Sequence, residues 1–131
     1  KQLAVSDKTE PQKLYISPDS HNHSLIKEAK INPAATKTVQ TTTLDNILKN
    51  TDRCDLIKMD CEGAEFRILS STSPETFKKI KAFYIEYHEF SPSLKKETLT
   101  QILQKNGFTN TKTTPSHYEE TMGFILATKN S

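Results

Sequence analysis

At 131 residues, 34% of them hydrophobic, the chain is long enough for one domain with its own core and too short for two. A net charge of +2, with lysines scattered and the pairs Lys78-Lys79 and Lys95-Lys96 falling on predicted helices, argues against a nucleic-acid track or an anionic membrane surface. No apolar run approaches the roughly 20 residues a bilayer-spanning helix needs.

In chain order, residues 2–6 and 13–16 read as short strands joined by a polar turn with Asp7, Lys8 and Pro11. Residues 18–38 are polar, with two prolines and two histidines, and read as a long loop; a loop of that length is functional or disordered. Val39 to Thr43 is extended and feeds a short helix, capped by Thr42 with Asp45 three residues on and with Leu44, Ile47 and Leu48 as its apolar stripe. Asp55 to Asp60 forms a strand, and Glu62 to Leu69 a helix with Phe66 and Leu69 inward. Ser73-Pro74 starts another helix, which ends near Lys81, and Ala82 to His88 is a strand rich in aromatic and β-branched residues. Leu94 to Asn106 is an amphipathic helix ended by Gly107, and strands at Phe108–Thr113 and Gly123–Lys129 close the chain as an antiparallel pair at one edge.

Strands that alternate with helices predict a mainly parallel sheet with helices on its faces. Cys54 and Cys61, seven positions apart on one extended segment, stand about 20 Å from each other and cannot pair; free thiols fit the reducing cytoplasm.

The segment Leu56 to Glu65 breaks local rules. A short apolar strand holds Lys58 and ends in Asp60, then turns at once into an acid-rich helix start. A lysine in a buried strand needs a partner, and the carboxyl ends of parallel strands are where open α/β sheets bind ligands. Alternation puts Lys58 with Asp60 on one face of this strand and Tyr84, Glu86 and His88 on one face of the next. With the strands in register, Lys58 neutralises Glu86 while Asp60 and His88 meet at the carboxyl edge. Glu62 stands close enough to that edge to contact a ligand, whereas Glu65 reads as an acid favoured by the helix dipole. His88 beside carboxylates suits a general base. A divalent metal on Asp60, Glu86 and His88 is a second reading, ranked below it. His21, His23 and His117 lie in polar loops and read as solvated.

Thr43-Leu44-Asp45 before a helix, Lys58-Met59-Asp60-Cys61-Glu62-Gly63-Ala64-Glu65, Ile85-Glu86-Tyr87-His88 and the closing Gly107-Phe108 resemble the FkbM-type family of S-adenosylmethionine-dependent methyltransferases. Leu3 to Asp7 is similar to that family's third-strand region, so the resemblance covers residues 1–128. It implies a three-layer α/β/α methyltransferase-like fold and S-adenosylmethionine as cofactor. It also implies Asp7 at the adenine amino group, Asp60 at the cofactor, and Asp60, Glu62, Glu86 and His88 as catalytic residues. The acceptor it implies is a hydroxyl on a sugar, glycan or other small molecule. The chain has only three glycines, Gly63, Gly107 and Gly123, so the family's glycine-rich cofactor turn has no counterpart, nor has its ribose-binding acid. Residues 1–131 therefore read as one partial domain, the C-terminal part of the fold, with the N-terminal strands missing. A non-catalytic remnant that binds a partner is the rival reading.

Overall fold

Twelve short elements follow one another through the computed structural model, which describes residues 2–18, 22–27 and 35–130. They are β1 (Ala4–Val5), β2 (Gln12–Ile16), β3 (Ala35–Val39), β4 (Thr41–Thr42), α1 (Leu44–Leu48), β5 (Ile57–Asp60), α2 (Glu65–Ser71), α3 (Pro74–Lys79), β6 (Ala82–His88), α4 (Lys96–Lys105), β7 (Asn110–Pro115) and β8 (Met122–Thr128). The strands with the strongest signals make one four-stranded sheet in the order β5-β6-β8-β7. β5 and β6 run parallel with Asp60 opposite Glu86, and β8 is antiparallel to both β6 and β7. β1 pairs with β4 in parallel, and β2 pairs with β3 antiparallel.

The expectation of a mostly parallel sheet is therefore corrected to a mixed one. The reason is the short β7–β8 connection, which turns β8 back into the sheet, where it lies between β6 and β7. The expected antiparallel ending is present. Residues 35–38, expected in a loop, are strand, because Ala35–Val39 supplies the partner that β2 needs.

Period-two alternation settles which sheet face is buried. Met59, Phe83, Ile85, Tyr87, Ile125 and Ala127 form the covered face, together with the apolar side chains of α2 (Phe66, Ile68, Leu69) and α4 (Leu99, Leu103). The opposite face carries Lys58, Tyr84 and Leu126, all exposed, and Tyr84 stacks on Phe124 at 5.7 Å. Among the described residues no helix layer covers that face, so the third layer of the expected fold is not seen. No helix of the described residues is long and apolar enough to cross a membrane.

Local corrections have simple causes. Thr43, not Thr42, caps α1, accepting from the Asn46 amide at 3.2 Å; this frees Asp45 to accept from the Ser73 amide and hydroxyl, joining α1 to the start of α3. Ile47 is exposed rather than part of the apolar stripe. α3 has the expected Ser73 cap but stops at Lys79. Gly107, at φ 91, ends α4 as expected.

Gly123 sits where β6, β7 and β8 crowd together. A Cβ there would lie 2.5 Å from Tyr87 Oη and 2.6 Å from the Thr114 carbonyl oxygen. The backbone contact cannot yield unless β7 leaves β8. Gly123→Ala is expected to destabilise the chain by about 1–3 kcal/mol in urea unfolding; an unchanged midpoint would show that the hairpin gives way freely.

Candidate functional site

At the carboxyl ends of β5 and β6 the chain builds a charged cluster out of one sharp turn. After Asp60 the backbone does not enter the helix that the acids at 62–65 suggest. Glu62 (φ 49) and Gly63 (φ 97) adopt left-handed conformations, which a right-handed helix cannot continue, so α2 starts three residues later than expected. Glu65 holds this turn from inside. Its carboxylate accepts the Cys61 amide at 2.8 Å and the Gly63 amide at 3.0 Å. Gly63 is required sterically as well, since a Cβ would stand 2.8 Å from Phe90 Cδ2 and 3.4 Å from Ile26 Cγ1.

His88 completes the cluster. Its Nδ1 lies 3.1 Å from Glu65 Oε1, and both side chains are buried, Glu65 at 0% and His88 at 3% exposure. A carboxylate oxygen only accepts, so Nδ1 is assigned as the donor, which directs Nε2 away from Glu65. Nε2 then faces Glu62 Oε2 at 3.6 Å and Glu86 Oε1 at 3.7 Å. Those distances are within ion-pair range and too long for good hydrogen bonds. The Phe90 ring packs 5.2 Å from the imidazole. A cavity of about 170 Å³ opens here, lined by Glu62, Glu86 and His88 with Asn22, Phe90, Glu119 and Met122.

Electrostatics follow from four carboxylates around one imidazole. Burial pushes the Glu62 carboxyl above its ordinary pKa, and the charges of Asp60, Glu65 and Glu86 add to this against the opposing pull of His88. Glu86 is raised in the same way, first by burial and then by Asp60. Burial alone would lower the His88 pKa; the hydrogen bond and charge of Glu65, with Glu62 and Glu86, raise it overall. Burial first, and then the Glu65 charge, push the Cys61 thiol up to about 12, so it stays protonated and is no nucleophile at neutral pH. Both cysteines are free, as expected.

The structure brings together Asp60, Glu62, Glu86 and His88, but in a register two residues from the expected one: Asp60 lies opposite Glu86 rather than His88. It does not bring Lys58 to Glu86. Lys58 lies opposite Tyr84 on the open sheet face, exposed, and among the described residues it forms no ion pair; it acts on Glu86 only through its charge at longer range. The supposed buried lysine is a surface residue because no helix covers that face. Asp7 is held elsewhere. It accepts from the Ser6 hydroxyl at 2.9 Å and lines a cavity of about 330 Å³ with Arg67, Lys8, Lys13 and Tyr15. Burial raises its pKa, but the Ser6 hydroxyl, its own backbone amide and the Arg67 charge hold it below the ordinary value. Asp60 does not line that cavity.

Sequence reasoning missed Glu65, the best-connected residue of the site, because acids in a first helical turn are common for reasons unrelated to function. Its spacing behind a glycine, within a segment singled out for its acids, was the available signal. It also missed Ser24, whose hydroxyl donates to the Glu62 carbonyl at 2.6 Å and accepts the Ile26 amide at 2.9 Å, laying part of the long loop over the turn. His23 accepts the Ser17 amide through Nδ1 at 3.2 Å and His117 is exposed, so neither joins the site; His21 lies outside the described residues.

The sequence model described as Methyltransferase FkbM domain matches residues 2–109. The match lies on the N-terminal part of this chain and stops before β7 and β8. This corrects the expectation that the resemblance runs to residue 128, and the match does not record the chain as the C-terminal part of that domain. Comparison with curated proteins and with solved structures gave no match.

Proposed function

Because the chain belongs to the FkbM methyltransferase family, we propose that it moves a methyl group from S-adenosylmethionine to a hydroxyl oxygen of a sugar or other small molecule. One observation carries the reading: a buried histidine, oriented by a buried carboxylate, faces two further carboxylates in a cavity at the carboxyl ends of parallel strands.

The residues present suit such a cofactor in one respect. Asp60, Glu62 and Glu86 crowd negative charge at the strand ends, with His88 as the only cationic partner within ion-pair distance among the described residues. That excess complements a sulfonium cation. In another respect they do not suit it: the three glycines of the chain supply no glycine-rich cofactor turn. Asp60 would hold S-adenosylmethionine, which would supply a methyl group on a cationic sulfur. Asp7, with Arg67, would meet the adenine end only if the cofactor spans both cavities.

The chain's own residues then have separable roles. Glu62 Oε2 and His88 Nε2, 3.6 Å apart, take the proton of the acceptor hydroxyl between them. Glu65 keeps the imidazole aimed. Phe90 packs against both the Gly63 turn and the imidazole and forms an apolar wall of the cavity. The two free thiols suit a reducing compartment, and the cytoplasm is the proposed location.

Calorimetric titration with S-adenosylmethionine and its demethylated product tests the reading. Heat with both is expected; none with either leaves the non-catalytic alternative standing. His88→Ala should keep cofactor affinity while turnover falls about 10²-fold or more. Unchanged turnover removes His88 from proton transfer.

A further inference from the structure

The same strand ends offer more than a proton acceptor. Asp60, Glu86 and His88 each present one ligand atom, and these atoms lie within 4.8 Å of one another. Two ligands on one six-coordinate ion stand about 3–4 Å apart when each is roughly 2.1 Å from the metal. Closing the triangle thus takes side-chain shifts of about an ångström or less. Asp60 is exposed and Glu86 half-buried, so two of the three arms can make that shift without disturbing the core.

A second observation is independent of the spacing. A metal-bound imidazole donates its other ring N–H to a carboxylate, which sets its tautomer and direction. His88 already has that arrangement: Nδ1 against the wholly buried Glu65, and Nε2 turned toward Glu62 and Glu86. Glu65 is itself locked by the Cys61 and Gly63 amides, so the imidazole is aimed before any ligand arrives.

We propose that Asp60, Glu86 and His88 Nε2 form a binding site for one divalent cation of the manganese or magnesium class. Two carboxylates are hard donors that suit such ions, one borderline imidazole is compatible with manganese, no thiolate is present, and three protein ligands leave positions open for an oxygen of the acceptor. The ion takes the place of the proton on Nε2. With the ion bound, Nε2 no longer shares the acceptor's proton with Glu62, and Glu62, beside the ion and not among the three ligands, receives it alone. The inference rests on the methyl-transfer reading only for what the ion does; whether it binds is measured separately.

The experiment is a Mn²⁺ titration of the chain followed by electron paramagnetic resonance of the free ion, with Mg²⁺ as competitor. The expected result is one bound Mn²⁺ per chain. Asp60→Asn, a change at an exposed side chain, should weaken it at least tenfold, and Glu86→Gln likewise, whereas Glu75→Gln on the surface of α3 leaves it unchanged. Absence of binding at millimolar Mn²⁺, or binding indifferent to Asp60→Asn and Glu86→Gln, overturns the proposal. Mn²⁺ binding without heat from S-adenosylmethionine would sink the methyl-transfer reading and keep the cation site; the reverse pattern would keep the enzyme and discard the ion.

Discussion

Glu65→Ala is expected to destabilise the chain by about 4 kcal/mol and to scatter the site at the same time. The substitution strands three donors in a place closed to solvent: the Cys61 amide, the Gly63 amide and His88 Nδ1. Each buried donor left without a partner costs about 1–3 kcal/mol, and water entering the hole recovers part of the sum. The turn at Glu62 and Gly63 loses its internal tie, so Glu62 and the imidazole lose their common frame. Glu65→Gln keeps the shape and one acceptor oxygen. It should cost about 1–2 kcal/mol, yet place an amide N–H toward a donor and so disturb the imidazole. Chemical denaturation reads the first effect, and nitrogen NMR of the His88 ring reads the second. If Glu65→Ala unfolds within about 1 kcal/mol of the parent, the carboxylate does not organise this turn.

Phe83→Ala should cost a similar amount, about 3–5 kcal/mol, with a different consequence. Phe83 sits at 0% exposure with its ring 5.2 Å from Phe108 and 6.0 Å from Phe77, and those two rings are 6.2 Å apart. Removing this ring opens a cavity beside the two remaining rings, which cannot both collapse into it. Lys129 lies 4.8 Å over the Phe108 ring and donates to the Phe77 carbonyl, so the cluster is also capped from outside. His88 is five residues further along β6, roughly 17 Å away. Mn²⁺ affinity of the folded fraction should therefore match the parent. A loss of ion binding in Phe83→Ala at a temperature where the chain stays folded would show that the sheet transmits strain to the site.

Much of this molecule was legible before its structure. The strand Ala82–His88 was placed to the residue, because aromatic and β-branched side chains are concentrated in it. The Ser73 cap and the Gly107 stop follow from local chemistry that no distant contact overrides. The cluster of Asp60, Glu62, Glu86 and His88 was also visible, since two parallel strands ending in acids place them together once the register is right. The helix after Asp60 was misplaced for the opposite reason. Acids at 62–65 favour a helix start locally, but the left-handed turn at Glu62 and Gly63 is held by Glu65 reaching back and by Phe90 lying over the glycine. Phe90 comes from beyond β6, so no short window of sequence contains that contact.

What the sequence alone determined is what depends on near neighbours: the extended segments of β5, β6 and β8, the Ser73 cap and the Gly107 stop, and the acids and histidine at the strand ends. Tertiary structure decided what depends on which surfaces meet. It placed β8 between β6 and β7 and made the sheet mixed. It left the Lys58 face open, so the lysine is solvated rather than buried. It buried Glu65 completely, turning an acid read as a helix-dipole residue into the group that aims His88. Side-chain spacing along one strand or helix follows from backbone geometry, whereas burial follows from the packing of segments far apart in the chain, and it is burial that gives these carboxylates their chemistry.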